Sequence, residues 1–525
     1  SSKNDGLLYN LHTTSIVQSL IYDLLKAARI LAVFPVPSIS HQVVFRPLTQ
    51  ALVKQGHEVT VITPDPAFPK GRAPANLTEI DVHDVSYKIW TETFMKASKG
   101  NGDELPKQAE LILYLFTVVF DAQLQIEEVQ SILHDKNKKY DLLLLEACVK
   151  PALIFSYVFK APVILVSSFG ATPGNYELIG ASEHPFLYPS ILHQRSYNLT
   201  MWEKIQKLYL HYQFLNVFEK MEIFDNGIIR KNFGANVPTV NELGNNVDML
   251  LLNLNPVLFG SHPVPPNVIY MGGLHQNPEK SMPTDLKKYL DSSKNGVIYV
   301  SFGTNVDPTL LPPERVQTLV NVFSKLPYDV LFKWNNDELP GRTANIKIAK
   351  WFPQSDLLKH PKVKAFITQG GLQSTDEAIT AGVPLIGIPM LADQWYNVEK
   401  YVYHGIGAQL DLGTFTEETL RNAIDKVVED ESYRRNVIRL RTLMTDQPMK
   451  PLERAVWWVE HVIRHKGAKH LRSPAANISW AQYLELELVF TVLAALLFVL
   501  VIFASSLFLL YKYLFSGVSV KVKSN

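Results

Sequence analysis

Two glycine-bearing segments and one histidine carry the residue types and spacing that could do chemistry. Gly370-Gly371 follows the apolar run 363–368 and precedes a helical pattern that begins near Ser374. Glycines between a strand and a helix let backbone N–H groups approach an anion, and the free N–H groups and the helix dipole both favour phosphate there. Gly303, in Ser301-Phe302-Gly303-Thr304 after the run 296–300, could bring a second stretch of backbone to the same anion. A lone Gly-Gly is also an ordinary tight turn; two glycine-bearing strand ends in one half of the chain favour the anion. His41 opens a helical pattern after the run 30–36, and Glu146 follows the run 142–145. A helix N-terminus disfavours imidazolium and so keeps a histidine neutral and basic. A carboxylate on its other nitrogen would fix the tautomer and stabilise the charge once a proton is taken. A histidine can equally just start a helix and a glutamate just sit on a surface, and the residue types alone leave both readings open.

The elements that must position these residues are legible as periodicity. Val44, Leu48, Ala51 and Leu52 share a helical face that stops at Gly56, and the next run, 58–63, reads as a second strand. Strand, helix, strand at this spacing implies a parallel sheet. Similar runs at 142–145, 162–166, 296–300, 329–332, 363–368 and 383–388 predict two doubly wound α/β domains. In such sheets ligands bind outside the carboxyl ends of the strands, where the residues named above fall. Pro256, Pro263, Pro265, Pro266, Pro278 and Pro283 mark the boundary region, and the aromatic stretch 192–233 reads as a helical insertion in the first domain. The expected division is a leading segment 1–29, a first domain 30–265, a linker 266–284, a second domain 285–465, a juxtamembrane segment 466–487, a membrane helix 488–510 and a tail 511–525.

The run 488–510 holds no charge and no proline. As a helix it is about 35 Å long, enough to cross a ~30 Å hydrocarbon core. Glu485 and Glu487 precede it, and Lys512, Lys521 and Lys523 come after it. Positive charge prefers the cytosol, so the tail is expected there and the bulk of the chain on the lumenal side. The sequons at Asn76, Asn198 and Asn477 suit that side. Lys523 and Lys521, third and fifth from the end, resemble a dilysine retrieval signal of the endoplasmic reticulum. Asp23 and Lys26 interrupt the apolar stretch 16–25, so the start supplies no good entry signal: either the signal is missing or the start is misassigned. A net charge of +1 gives no support for a nucleic-acid partner, and the single cysteine, Cys148, excludes an internal disulfide framework.

The segment from Trp351-Phe-Pro-Gln354 through Thr368-Gln369-Gly370-Gly371-Leu372-Gln373-Ser374 and Glu377 to Pro389 and Asp393-Gln394 resembles the signature of the UDP-glycosyltransferase family. It looks most like the membrane-anchored arthropod members, and the likeness extends over nearly the whole chain after residue 29. The resemblance implies the GT-B fold: two Rossmann-like domains facing a cleft, the first for acceptor and the second for UDP-sugar, followed by one membrane helix. It also implies roles. Trp351 would stack on uracil, with Gln354 beside base and ribose, and Glu377 would hold ribose hydroxyls. Ser301, Gly303, Thr304, Gly370, Gly371, Gln373 and Ser374 would lie along the donor, chiefly at its diphosphate. Asp393 and Gln394 would bind sugar hydroxyls. His41 would be the general base and Glu146 its partner. Two positions depart from the common pattern. Gln369 stands where histidine is usual; it can donate a hydrogen bond but carries no charge. Glu146 stands where vertebrate members carry aspartate, and the alternative Asp141 lies about 16 Å back along a strand.

The implied reaction is inverting transfer of a hexose, glucose or glucuronate, from a UDP-sugar to a hydroxyl of a small lipophilic acceptor. UDP-sugar is a co-substrate and no cofactor is expected. With no Asp-x-Asp in the chain, no metal is expected either. Two further readings remain: a transferase that builds a glycolipid, and a non-catalytic membrane-anchored binding protein on the same scaffold. The oligomeric state is left open.

Overall fold

The computed structural model describes residues 27–95, 104–135, 137–194, 197–276 and 281–516. Most of the leading segment and the Lys521/Lys523 ending lie outside the described residues. The first sheet has seven parallel strands: β1 (Arg29–Val33), β2 (Glu58–Thr63), β3 (Leu77–Asp81), β4 (Leu142–Glu146), β5 (Val163–Ser167), β6 (Val247–Leu252) and β7 (Val268–Tyr270). Their spatial order is β3-β2-β1-β4-β5-β6-β7. The second has six: β8 (Val297–Ser301), β9 (Asp329–Lys333), β10 (Ile346–Ala349), β11 (Val363–Thr368), β12 (Leu385–Gly387) and β13 (Gly407–Gln409), ordered β10-β9-β8-β11-β12-β13. Every residue of β4, β5, β6 and β8 is buried. That is why these strands read as continuous apolar runs: parallel strands are covered by helices on both faces.

The helix Ile39–Lys54 covers one face of the first sheet through Val44, Phe45, Leu48 and Leu52. The chain between β1 and this helix turns sharply and is held by three buried side chains. Gln42 Nε2 donates to the carbonyls of Phe34 and Val36, at 3.1 and 3.2 Å. Gln123 Nε2 donates to Pro35 O at 2.7 Å, and Val36 N–H donates to Glu146 Oε2 at 3.1 Å. Backbone polar groups inside a protein must be paired, and pairing them here with side chains from three elements gives the turn one geometry.

The aromatic stretch forms the helix Met201–Phe233, opened by a Thr200/Glu203 capping box. It lies against the helix Leu105–Gln123, and Thr117 donates to the buried Asp225 carboxylate at 2.6 Å. Two segments sit differently from the sequence-level division. β7 pairs with β6, so the first sheet extends into the stretch read as linker. The helix Pro451–His465, grouped above with the second domain, packs Ala455, Val456, Val459 and Val462 onto the first sheet beside Ile39–Lys54. Periodicity reveals an apolar stripe but not which sheet it will cover.

Asp248 of β6, 2% exposed, fastens this return. Its carboxylate accepts from Val163 N at 3.1 Å and from Ala468 N at 2.8 Å, just beyond the helix. From there the chain reaches the helix Leu486–Phe515, whose best window has mean hydropathy 2.9 and no burial. Asp248→Ala leaves two buried N–H groups unpaired and should lower stability by about 2–4 kcal/mol, read as a drop in the urea midpoint of intrinsic fluorescence.

Candidate active site

A cleft of about 490 Å³ lies between the sheets, lined by residues that come just after the carboxyl ends of β1, β4, β8, β9 and β11. The volume suits a small-molecule site. Every site residue named from the sequence lines it except Glu146 and Gly370, which sit immediately behind it.

On the first-domain side, His41 lies in the first turn of its helix and Glu146 ends β4. Because β1 and β4 are neighbours, the two side chains meet: His41 Nδ1 and Glu146 Oε1 are 2.6 Å apart. Glu146 is 1% exposed, and its second oxygen takes the Val36 N–H. A carboxylate accepts, so Nδ1 carries the proton and Nε2 keeps its lone pair. Phe169 stands edge-on to the imidazole at 5.3 Å. The Cys148 thiol is pushed well up by burial and by the Glu146 carboxylate, which keeps it protonated beside the pair. Trp90, Phe94, Ile112, Phe116, Ile191 and Phe218 make the surrounding wall apolar.

On the second-domain side, the helix Leu372–Ala381 starts at Gly371 with no side-chain cap, so its first amides are open to a ligand. Gly370 takes φ +89°, and a Cβ there would collide with Val398. Gly303 takes φ +77°, and a Cβ there would meet the Gln369 amide. Only glycine fits either place. The Gln369 side-chain oxygen is buried and has no hydrogen-bond partner among the described residues.

Gln354 is held from three directions. Tyr299 OH donates to its oxygen at 3.2 Å, and its nitrogen donates to Ser374 Oγ at 2.9 Å and to Glu377 Oε2 at 2.7 Å. Burial raises the Glu377 carboxyl above its usual value, and the Gln354 hydrogen bond opposes this. Trp351 is 64% exposed, a large ring with a free face at the mouth of the cleft. Asp393 comes directly after Ala392, whose φ of 45° is unusual for a residue with a side chain. Its carboxylate accepts from Asn397 at 2.8 Å; burial raises it and the facing His41 lowers it. The Gln394 side-chain oxygen accepts from the Met390 and Leu391 amides, at 2.9 and 2.8 Å. Gln373 lines the cleft but turns its amide across to Ser168 O at 2.9 Å, so in this geometry it ties the domains together.

Two cleft residues were not singled out from the sequence. His275 donates from Nε2 to Gln373 O at 3.2 Å, and burial pushes it down to about 4, so it is neutral at pH 7. Lys333 ends β9, donates to Gly303 O at 2.6 Å, and lies over the Trp351 ring at 5.1 Å. The strand-end rule applied to the run 329–332 would have found Lys333, since that run ends one residue before it. Among the described residues it is the one Lys or Arg lining the cleft.

Two parallel α/β sheets facing a cleft, with an uncapped glycine turn on one side and an oriented histidine on the other, define a GT-B glycosyltransferase. Solved structures agree on the fold. The glycosyltransferase VinC, in complex with dTDP, aligns with TM-score 0.55 at 16% identity, over 84% of this chain and 100% of that one. The kitacinnamycin glycosyltransferase aligns with TM-score 0.52 at 18% identity, over 84% and 99%.

Residues 29–521 match the family described as UDP-glucoronosyl and UDP-glucosyl transferase, and the chain belongs to it. The ecdysteroid UDP-glucosyltransferase of Spodoptera littoralis nuclear polyhedrosis virus is 36% identical over 488 residues, covering 89% of this chain and 94% of that protein. UDP-glucosyltransferase 2 of Dactylopius coccus is 30% identical over 523 residues, covering 97% and 98%. The protein is a glycosyltransferase that takes its sugar from a UDP-sugar.

The cleft's cation balance generates a prediction. Lys333→Met should weaken UDP binding by about tenfold, the loss of one charge-assisted contact, and leave uridine binding unchanged. Isothermal titration with both ligands checks it.

Proposed function

We propose that this enzyme is an inverting, metal-independent hexosyltransferase that uses UDP-glucose and glycosylates a hydroxyl of a small lipophilic acceptor. The observation that carries this reading is the 2.6 Å His41–Glu146 pair, opening on a cleft with an apolar wall on its own side and an anion-binding turn opposite. The acceptor oxygen attacks the anomeric carbon as His41 Nε2 takes its proton, and Glu146 stabilises the imidazolium that forms. The bond to the UDP oxygen breaks as the new one forms. Charge developing on UDP meets the open amides beyond Gly371 and the Lys333 ammonium, groups already oriented before the reaction begins. A single displacement converts an α-linked donor into a β-glycoside. Trp351 offers its free face to uracil, Gln354 and Glu377 the ribose, Asp393 and Gln394 the sugar.

Glucose as donor rests on the names of the insect and viral relatives, and so does an ecdysteroid as one acceptor to try. The apolar wall suits steroids and phenols alike. We assign the helix Leu486–Phe515 as the membrane anchor, with Trp480 and Tyr483 exposed just before it in the manner of interfacial aromatics. Glu485 just before the helix, Glu487 in its first turn and Lys512 in its last support lumenal catalytic domains. A lumenal glycan would fall on Asn198, which is exposed, whereas Asn76 donates its amide to Val53 O and His57 O.

Two experiments test the proposal. Microsomes bearing the enzyme, given UDP-glucose or UDP-glucuronate with a phenol, an ecdysteroid or a ceramide, should form a glucoside and release UDP when the donor is UDP-glucose and the acceptor is small and lipophilic. The product should be the β-anomer, and chelator should not stop the reaction. Turnover on ceramide alone would favour the glycolipid-forming reading, and no turnover on any acceptor the binding-protein reading. His41→Ala should abolish transfer while UDP binding survives, and Glu146→Gln should slow kcat by roughly 100-fold or more; an unchanged rate in either removes that residue from the mechanism.

A further inference from the structure

Three histidines converge far along the chain from the catalytic pair, where the chain leaves the folded domains for its apolar helix. His461 and His465 stand one turn apart on the helix Pro451–His465, and His470 lies in the short turn Lys469–Leu471 just beyond. None of them lines the cleft. The Nε2 atoms of His461 and His470 are 3.2 Å apart. Ring centroids are separated by 4.5 Å for His461–His465, 5.4 Å for His461–His470 and 5.8 Å for His465–His470. Tetrahedral ligation at 2.0–2.1 Å puts two donor nitrogens ~3.3 Å apart. Histidines at i and i+4 of a helix are spaced to share one ion.

The group is held in place by its surroundings. The His461 ring stacks on Trp457 at 5.4 Å and meets Trp458 edge-on at 5.2 Å, which limits its rotamers. His470 is tied to the helix through the bend before it: Gly467 takes φ +126°, and Ala468 N donates to the buried Asp248. Neighbouring cations have partners of their own, although the Arg464 charge still bears on His461. Arg464 pairs with Glu460 at 3.5 Å, Lys469 donates to Asn245 O at 2.8 Å, and Arg472 donates to Val247 O at 3.1 Å. The Nε2 atoms of His461 and His470 face one another, and the His465 ring lies beside that of His461.

We propose that His461, His465 and His470 form a binding site for a divalent transition metal of the zinc class. Imidazole nitrogens suit zinc, copper or nickel over magnesium or calcium, and three of them leave a fourth position for water. The ion would staple the segment after the bend to the helix before it, at the point where the catalytic domains hand over to the membrane helix. The role is structural and separate from sugar transfer.

The test uses the full chain in detergent, stripped with EDTA and titrated with Zn²⁺ against a chromogenic chelator. The expected result is a micromolar or tighter site that Mg²⁺ does not compete for. It should weaken about tenfold or more in His461→Gln and in His470→Gln, with UDP binding intact in both as proof of folding. His41, Glu146 and Cys148 are a second group of candidate donors, with potential ligand atoms within 4.8 Å of one another, so His41→Ala is the control. Zinc binding lost in His41→Ala but kept in both other variants overturns the proposal. So does the absence of any site tighter than about 100 µM, the range in which scattered surface histidines bind.

Discussion

A carboxylate buried to 1% exposure must have its charge answered, and much of the first-domain half of the site depends on how Glu146 does this. One oxygen takes the Val36 amide and the other takes His41 Nδ1. The first bond fixes the turn that delivers the helix Ile39–Lys54; the second fixes the tautomer and orientation of a residue in that helix's first turn. Both depend on β1 and β4 lying side by side. A single buried charge therefore couples sheet topology, loop geometry and the state of the histidine.

The opposite wall works by a different principle. It presents few full charges: neutral Gln369, open helix amides and one lysine. The acidic groups there, Glu377 and Asp393, are raised by burial, and the hydrogen bonds from Gln354 and Asn397 oppose this. Dipoles held rigid by glycine geometry stabilise an anion without having to reorganise as charge moves onto it. Gln354, clamped by Tyr299, Ser374 and Glu377, shows how that wall is kept stiff by side chains that also face the ligand.

The two halves are joined by polar contacts as well as by chain. Asn305 donates to Ser38 Oγ at 3.0 Å, and Gln373 reaches Ser168 while neutral His275 holds its carbonyl. These bonds cross the cleft beside the site. The helix Pro451–His465 returns from the second domain to close the first, so the first sheet is not completed by one continuous stretch of chain.

Continuous apolar runs disclosed the strands, because parallel strands are buried on both faces, and the strand-end rule located the glycine turns, the histidine and the glutamate. An uncapped Gly-Gly before a helix is a local property, and so is an apolar run long enough to span a bilayer; both are readable from sequence because they depend only on neighbouring residues. Features that depend on distant residues were not readable. The 2.6 Å contact of His41 with Glu146 requires β1 and β4 to be neighbours. The turn of Gln373 toward Ser168, the seat of Lys333 beside Gly303, the convergence of His461 with His470 and the choice of sheet for the last amphipathic helix have the same origin. Each is a pairing across the fold, decided by which surfaces the packed core leaves facing one another, and local spacing carries no record of it.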